Sequence, residues 1–238
     1  MTSTTVMKNE AWVKESAFGI WFTGTETWVK YVLTKALDDL ESMINNCKPS
    51  YPIILDVGCG HGLSFKMLEK RFCPEKIIGL DIDPKTQFRA QRNIALCNCE
   101  IYLQNNNAAN IDLEDGSVHM LFCNQTFHHL VEQERAIQEF FRVLKPGGIL
   151  LFAESCRCYI HSFLIQLLFR HPMDVQKSDL EYIELIQAAG FELEERNISR
   201  PFLWWSRKDL GVLEFFHIPE NRENREETMV NLVAYKPK

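Results

Sequence analysis

The chain has 238 residues, 46% hydrophobic and 24% charged, an ordinary balance for a globular protein and enough length for one α/β domain with additions. Its 26 basic and 32 acidic side chains leave a formal net charge of −6, so a basic nucleic-acid footprint is absent. The opening Met1-Thr2-Ser3-Thr4-Thr5 lacks the regions of a signal peptide, and no uncharged apolar run reaches the roughly 18 residues of a membrane-spanning helix, so a cytoplasmic setting is expected.

Residues 1–18 read as irregular, with Ala11-Trp12-Val13 as an apolar patch. Thr23-x-x-Glu26 has the form of a capping box, and Trp28, Val32, Ala36, Leu40 and Met43 recur on one face of the helix it would open. Lys48-Pro49-Ser50-Tyr51-Pro52 ends that helix. Residues 53–57 are apolar apart from Asp56, as in a strand buried on both faces of a parallel sheet. The turn Gly58-Cys59-Gly60-His61-Gly62 follows, and residues 64–70 read as a helix. Glycine is needed where φ is positive or where a ligand approaches the backbone. The spacing is G-x-G-x-G; a dinucleotide fingerprint would place its third glycine at 63, which is Leu63. Residues 76–81 form a second apolar strand ending in Asp81, where an acid can accept from both ribose hydroxyls of a nucleoside. Pro84 suits the first turn of a helix reaching about Leu96.

The alternation continues with a strand at 100–104, the polar loop Asn105-Asn106-Asn107, a turn at Asp115-Gly116 and a strand at 118–123. A helix at 131–144 turns Ala136, Phe140 and Val143 or Leu144 inward, and Lys145-Pro146-Gly147-Gly148 leads into a wholly apolar strand at 149–153. Repeated strand–helix units imply a parallel, doubly wound sheet whose ligands bind beyond the carboxyl ends of the strands. The glycine turn, Asp81, Asn105 to Asn107, Asn124 to His129 and Glu154 should then converge on one cleft. Further along, 160–169 is nearly all apolar, and Ser178-x-x-Glu181 opens a capped helix closed by Gly190. Residues 191–196 alternate like a strand, 200–216 are aromatic-rich, 219–227 form a charged loop and 229–235 read as a last strand.

The stretch 50–155 resembles the class I S-adenosylmethionine (SAM) methyltransferases, and among them the ubiquinone/menaquinone-type small-molecule family. The matching segments, in order, are the glycine motif at 54–62, Asp81, and Leu144-Lys145-Pro146-Gly147-Gly148. The resemblance implies a Rossmann-like seven-stranded sheet, mostly parallel with the last strand antiparallel. It implies a single domain over 1–238, made of an N-terminal helical lid (1–48), a cofactor-binding core (50–155) and an acceptor-side cap (156–238). SAM would be the cofactor. Asp56, Gly58, Cys59 and Gly60 would line its methionine part, Asp81 would hold the ribose, and Ile82 would pack on adenine. Asn107 and Ala108 would meet the adenine edge, and Asn124 and Gln125 would offer backbone groups near the methionine end. Trp21 and Phe22 would belong to the lid over the cofactor. Asn107 and His119 stand where the family often has Asp.

Methyl transfer from a sulfonium is an in-line displacement with an excellent leaving group, so the protein mainly aligns the acceptor and excludes water. A base is needed only where the acceptor keeps a proton near neutral pH. Candidates at the cleft mouth are His128, His129 and Glu154; the two histidines read equally as structural residues at a helix start, and His161 and His217 rank behind them. Phe202, Trp204, Trp205, Phe215, Phe216 and the run 160–169 read either as core or as a cover for the acceptor. The expected partner is an apolar or aromatic small molecule, lipid-like ones included, and not a nucleic acid: Asn124-Gln125-Thr126-Phe127 lacks the paired prolines of enzymes that methylate base amines. The eight cysteines include no C-x-x-C pair; they read as reduced thiols, and no metal ligands are assigned. The competing reading is a non-catalytic SAM-binding or protein-interaction module on the same fold.

Overall fold

The computed structural model describes residues 12–207 and 226–238. Five strands, β1 (Ile53–Val57), β2 (Lys76–Asp81), β3 (Glu100–Asn105), β4 (Val118–Asn124) and β5 (Leu144–Ser155), pair in parallel. Two more, β6 (Ile198–Ser199) and β7 (Met229–Tyr235), complete one sheet in the order β3-β2-β1-β4-β5-β7-β6, and β7 runs antiparallel to both its neighbours. This is the Rossmann-like sheet expected from the sequence. Its central strands are apolar on both faces because both faces are covered. The two-residue period sends Leu55, Val57, Leu121, Leu150 and Phe152 to one side and Ile54, Met120, Phe122, Ile149 and Leu151 to the other. Helices α6 (Gln133–Val143) and α9 (Asp179–Ala188) bury their apolar stripes on the first side; α3 (Thr34–Ser42), α4 (Phe65–Phe72) and α5 (Thr86–Ile94) do so on the second.

The entry to α3 differs from the expected single helix. A short α1 (Ala17–Phe22) comes first, so Thr23 lies at its end, and the hydroxyl of Thr23 donates back to the Gly19 carbonyl at 3.0 Å. Thr25 is the residue that caps the next turn, α2 (Glu26–Trp28), accepting from the Trp28 N–H. A π-helical turn at Val29–Leu33 then joins α2 to α3 while keeping Val32, Ala36 and Leu40 buried. The capping box at Ser178 and Glu181 forms as read. Residues 191–196 are not a strand. Only Glu192 bridges to Tyr235, and Glu195–Asn197 close a 3₁₀ turn. The buried Asn197 amide stabilises that turn by donating to the Met43 carbonyl and accepting from the Glu194 N–H. Earlier in the chain, after β5, the segment 157–168 folds as two short helices, α7 (Arg157–Ile160) and α8 (Phe163–Leu168). Ala11, Phe215, Phe216 and His217 lie outside the described residues.

Strand order places the site. β2 and β3 lie on one side of β1, and β4 and β5 on the other. The loops leaving β1 and β4 therefore depart in opposite directions and open a crevice at the carboxyl ends of the strands. Beside it the core is aromatic: Phe152 lies 5.2 Å from Phe127 and 5.5 Å from Tyr182, centroid to centroid. Phe152→Ala is expected to cost about 3–5 kcal/mol in denaturant unfolding. A loss below about 1 kcal/mol would mean that this aromatic cluster is not part of the cooperative core.

Candidate active site

The glycine loop after β1 is tied to the tip of β2. Gly58 and Gly60 have φ of 72° and 50°. A Cβ on Gly58 would lie 2.1 Å from the Thr126 hydroxyl, whereas one on Gly60 would meet nothing nearer than 3.9 Å. The first glycine is thus required by packing against the turn after β4, and the second leaves its backbone open to the crevice. The Gly58 N–H donates to the Leu80 carbonyl at 2.7 Å. Asp81 accepts from the Gly60 N–H at one carboxylate oxygen and from the Asp83 N–H at the other, both at 2.9 Å. Burial raises its pKa.

Asp56, the penultimate residue of β1, is 2% exposed and accepts from the Ser64 hydroxyl. Burial pushes its carboxyl up to about 7 against the Ser64 hydrogen bond, with the Asp81 charge adding to the rise. The two carboxylates bring negative charge to the carboxyl ends of β1 and β2, with Arg89 acting on Asp81.

Three connected cavities occupy the crevice. The first, about 170 Å³, is lined by Asp81, Ile82, Asn107, Ala108, Leu130 and, from the N-terminal segment, Trp12. The second, about 120 Å³, is lined by Asp56, Cys59, Gly60, Asn124 and Gln125. Gly58 and Thr126 border both. The third, about 310 Å³, is walled by Phe22, Trp28, Tyr31, Ile165, Phe169, Trp205 and neighbouring apolar side chains. Gln125 borders the second and third, and Thr23 borders all three. The N-terminal segment closes over them. It is pinned by a bridge between Trp12 and Leu130, by His61 Nε2 to the Ile20 carbonyl at 2.8 Å, and by the Ser16 hydroxyl to the Leu168 carbonyl at 2.6 Å.

A buried carboxylate organises the boundary. Glu154, fully buried at the end of β5, accepts from the Thr126 and Phe127 N–H groups at 2.8 and 2.7 Å through Oε1. Its Oε2 lies 2.6 Å from His128 Nδ1. A carboxylate only accepts, so Nδ1 carries the proton and Nε2 keeps its lone pair. His128, His129 and His171 pack ring to ring, with centroids 4.3 to 5.1 Å apart, and all three border the third cavity. Burial and the neighbouring imidazoles hold His129 well below the ordinary histidine value, and burial takes His171 down to about 3.

Nearly all the residues singled out from the sequence therefore border these cavities. Trp21 does not: it is 63% exposed on the outer side of α1, and Trp12, Ile20 and Thr23 supply the lid lining instead. Asn107 borders the first cavity with its side-chain carbonyl already accepting from the Ala109 N–H. Glu154 lies behind His128 rather than at the cavity wall, and His161 is exposed. His119 accepts from the Ile53 N–H and serves the strands. The sequence reading placed Thr126 in the cleft only as part of the stretch Asn124 to His129 and gave no site role to Ser64 or His171. Ser64 lies beside the glycine motif, but only the fold brings His171 to the pair after β4.

The amide of Glu154→Gln can still accept from the Thr126 and Phe127 N–H groups, but it presents an N–H to His128 Nδ1. The expected outcome is a folded protein in which His128 has switched tautomer, read from its ring ¹⁵N shifts. An unchanged Nδ1–H form would show that Glu154 does not set the proton's place.

The comparisons agree with this geometry. Residues 55–152 match the family model described as "Methyltransferase domain". A Mycolicibacterium smegmatis protein named as an S-adenosylmethionine-dependent methyltransferase is 29% identical over 143 residues, 60% of this chain and 52% of its own length. Phosphoethanolamine N-methyltransferase 1 of Arabidopsis thaliana is 29% identical over 131 residues, 53% of this chain and 26% of its own. The chain thus spans about half and about a quarter of these two relatives. The S-adenosyl-L-methionine-dependent Diels-Alderase iccD of Talaromyces variabilis is 26% identical over 76% of this chain and 68% of its own. Among solved structures, a SAM-dependent methyltransferase from Aquifex aeolicus shares the fold with a TM-score of 0.62 at 16% identity, over 92% of this chain and 97% of that one. Geranyl diphosphate C-methyltransferase from Streptomyces coelicolor does so at 0.63 and 16%, over 86% and 79%. The family's domain model thus aligns on the same strands that carry the glycine loop and both carboxylates, so residues 55–152 match a methyltransferase domain, and the fold is the one that SAM-dependent methyltransferases share.

Proposed function

We propose that the protein transfers the methyl group of SAM to a small apolar or aromatic molecule held in the third cavity. The observation that carries this reading is the junction at Gln125 and Thr23, where a polar, carboxylate-bearing crevice meets a larger apolar pocket. The residues present fit the cofactor. Gly60 leaves open backbone, Asp81 offers a carboxylate at the nucleoside end, and the buried Asn124 Oδ1 has no partner beside Asp56. When bound, SAM supplies an electrophilic methyl on a positively charged sulfur.

The chain's own residues bind, orient and exclude water. In this reading Asp56 and Asp81 hold the two ends of the cofactor, with Ile82, Ala108 and Asn107 around the base and Cys59, Asn124 and Gln125 around the methionine end. The lid segment and the aromatic walls of the third cavity keep water from the methyl group. His128 is oriented by Glu154, and its Nε2 takes the proton from an acceptor that carries one, with His129 beside it. The acceptor class follows from the walls, which are aromatic and aliphatic, with polar groups concentrated at the histidine rim. We place the reaction in the cytoplasm, in keeping with eight unbridged cysteines; no helix among the described residues is long and apolar enough to cross a membrane.

The Diels-Alderase relative and the neighbouring fold titled "[4+2]-Cyclase SpnF" (TM-score 0.61, 20% identity) support a second reading, a SAM-holding protein that uses the apolar cavity without moving a methyl. A panel of hydrophobic and polar acceptors, scored by formation of S-adenosylhomocysteine (SAH), separates the two. Turnover of apolar hydroxyl-bearing compounds is expected. Turnover of polar acceptors alone would overturn the acceptor class, and binding without any SAH would favour the second reading.

Asp56 gives a pH test. Its folded pKa is raised, so its contribution to stability is fully present below the ordinary carboxylate value and is lost as pH rises through about 7. Cofactor-free Asp56→Asn should therefore melt higher than the parent at pH 8, with the difference shrinking toward pH 5. SAM affinity of the parent should rise from pH 6 to 8 as the carboxylate ionises, and the variant should bind weakly without that slope. A parent affinity independent of pH would contradict this assignment.

A further inference from the structure

We propose that His128, His129 and His171 bind a divalent transition-metal ion of the zinc class at the rim of the apolar cavity. One ligating atom from each residue falls within a set no more than 4.8 Å across. Three imidazoles, with the Glu15 carboxylate 3.7 Å from His129 Nε2 at the edge of the cluster and no thiol in the set, suit Zn²⁺, Co²⁺, Ni²⁺ or Cu²⁺ rather than Mg²⁺ or Ca²⁺.

Two features point to an ion rather than to mere packing. Glu154 accepts from His128 Nδ1, which fixes the tautomer and leaves Nε2 as a donor atom; this carboxylate–imidazole arrangement is the usual support behind a metal-bound histidine. In addition, His171 Nδ1 is buried without a hydrogen-bond partner, an expense that a bound cation would remove. The loop carrying His171 is held in place: the buried Gln176 amide donates to both the His128 and Pro172 carbonyls at 2.8 Å. A tetrahedral site with bonds of about 2.0–2.1 Å needs the nitrogens about 3.4 Å apart, so the rings must draw together on binding.

Three protein ligands leave a fourth position on the cavity side, the arrangement of a catalytic rather than a structural site. An acceptor hydroxyl bound there would have its pKa lowered and would release its proton to water at the cavity mouth. The oxygen lone pair then forms the bond to the methyl carbon, and the electrons of the broken carbon–sulfur bond remain on sulfur. In that state His128 is a ligand and no longer takes the proton. This role rests on the methyl-transfer reading; the ion site itself does not.

The test uses untagged, chelator-treated full-length protein titrated with Zn²⁺, followed by X-ray absorption of the loaded sample. The expected result is one equivalent bound and a shell of nitrogen and oxygen scatterers at about 2.0–2.1 Å. His171→Ala and His129→Ala should each weaken binding at least tenfold while retaining the parent melting transition, and Glu154→Gln should weaken it about 10–100-fold. A shell with sulfur at about 2.3 Å, no binding at 100 μM Zn²⁺, or folded histidine variants with parental affinity would each overturn the proposal. SAM titrations on the same samples keep the two readings apart: intact SAM binding without a zinc site sinks only the ion, and absent SAM binding sinks the methyl-transfer reading.

Discussion

A fully buried carboxylate at the end of β5 sets the geometry on which the site depends. Glu154 has no access to water and is satisfied by two backbone N–H groups and one imidazole. Those donors belong to consecutive residues, Thr126 to His128, so one side chain fixes the turn after β4. That turn in turn places Thr126 against Gly58, where a Cβ could not fit. The order of events runs from a buried charge to a backbone turn, and from the turn to the shape of both the polar crevice and the apolar cavity. Removing an acceptor from such a group leaves buried donors unsatisfied, which costs more than the bond itself is worth in water.

Asp81 plays the corresponding part on the other side of β1. It ties the glycine loop to β2 through Gly60 and closes its own turn through Asp83. Asp56, between the two, is the member of the set that burial disfavours, because only Ser64 compensates it. A protein that keeps an acid in that state gives up stability in the empty form, and a cation in the adjacent crevice would recover it. At the histidine rim, by contrast, burial holds His129 and His171 toward the neutral form beside an apolar pocket. Polar crevice and apolar cavity thus meet at Gln125, a residue held at φ 51°, a conformation that non-glycine residues adopt mainly where the surroundings impose it.

Much of this was legible in the residues. The sheet was readable because β1, β4 and β5 are short, continuous apolar runs, a pattern that burial on both faces produces. The crevice was readable because glycine spacing and strand-end acids report local backbone demands. Features that depend on contacts between distant segments were not. Thr23 looked like a cap until α1 ended on it, and residues 191–196 alternated like a strand while Asn197 locked them into a turn against Met43. Trp21 and Trp12 could not be told apart from their neighbours, since only the path of the lid decides which ring faces inward. His171 carried no spacing signal, because its partners lie on the loop after β4.

The most direct measurement is calorimetric titration of ligand-free protein with SAM and SAH, alongside Asp81→Ala. Micromolar affinity, about −8 kcal/mol, is the expected result for the parent. The variant should lose most of it, because it removes both the carboxylate that our proposal assigns to the ribose and the anchor of the Gly60 loop. Parent protein that binds neither compound, or a folded Asp81→Ala that binds them as tightly, would contradict the assignment of this crevice to the cofactor.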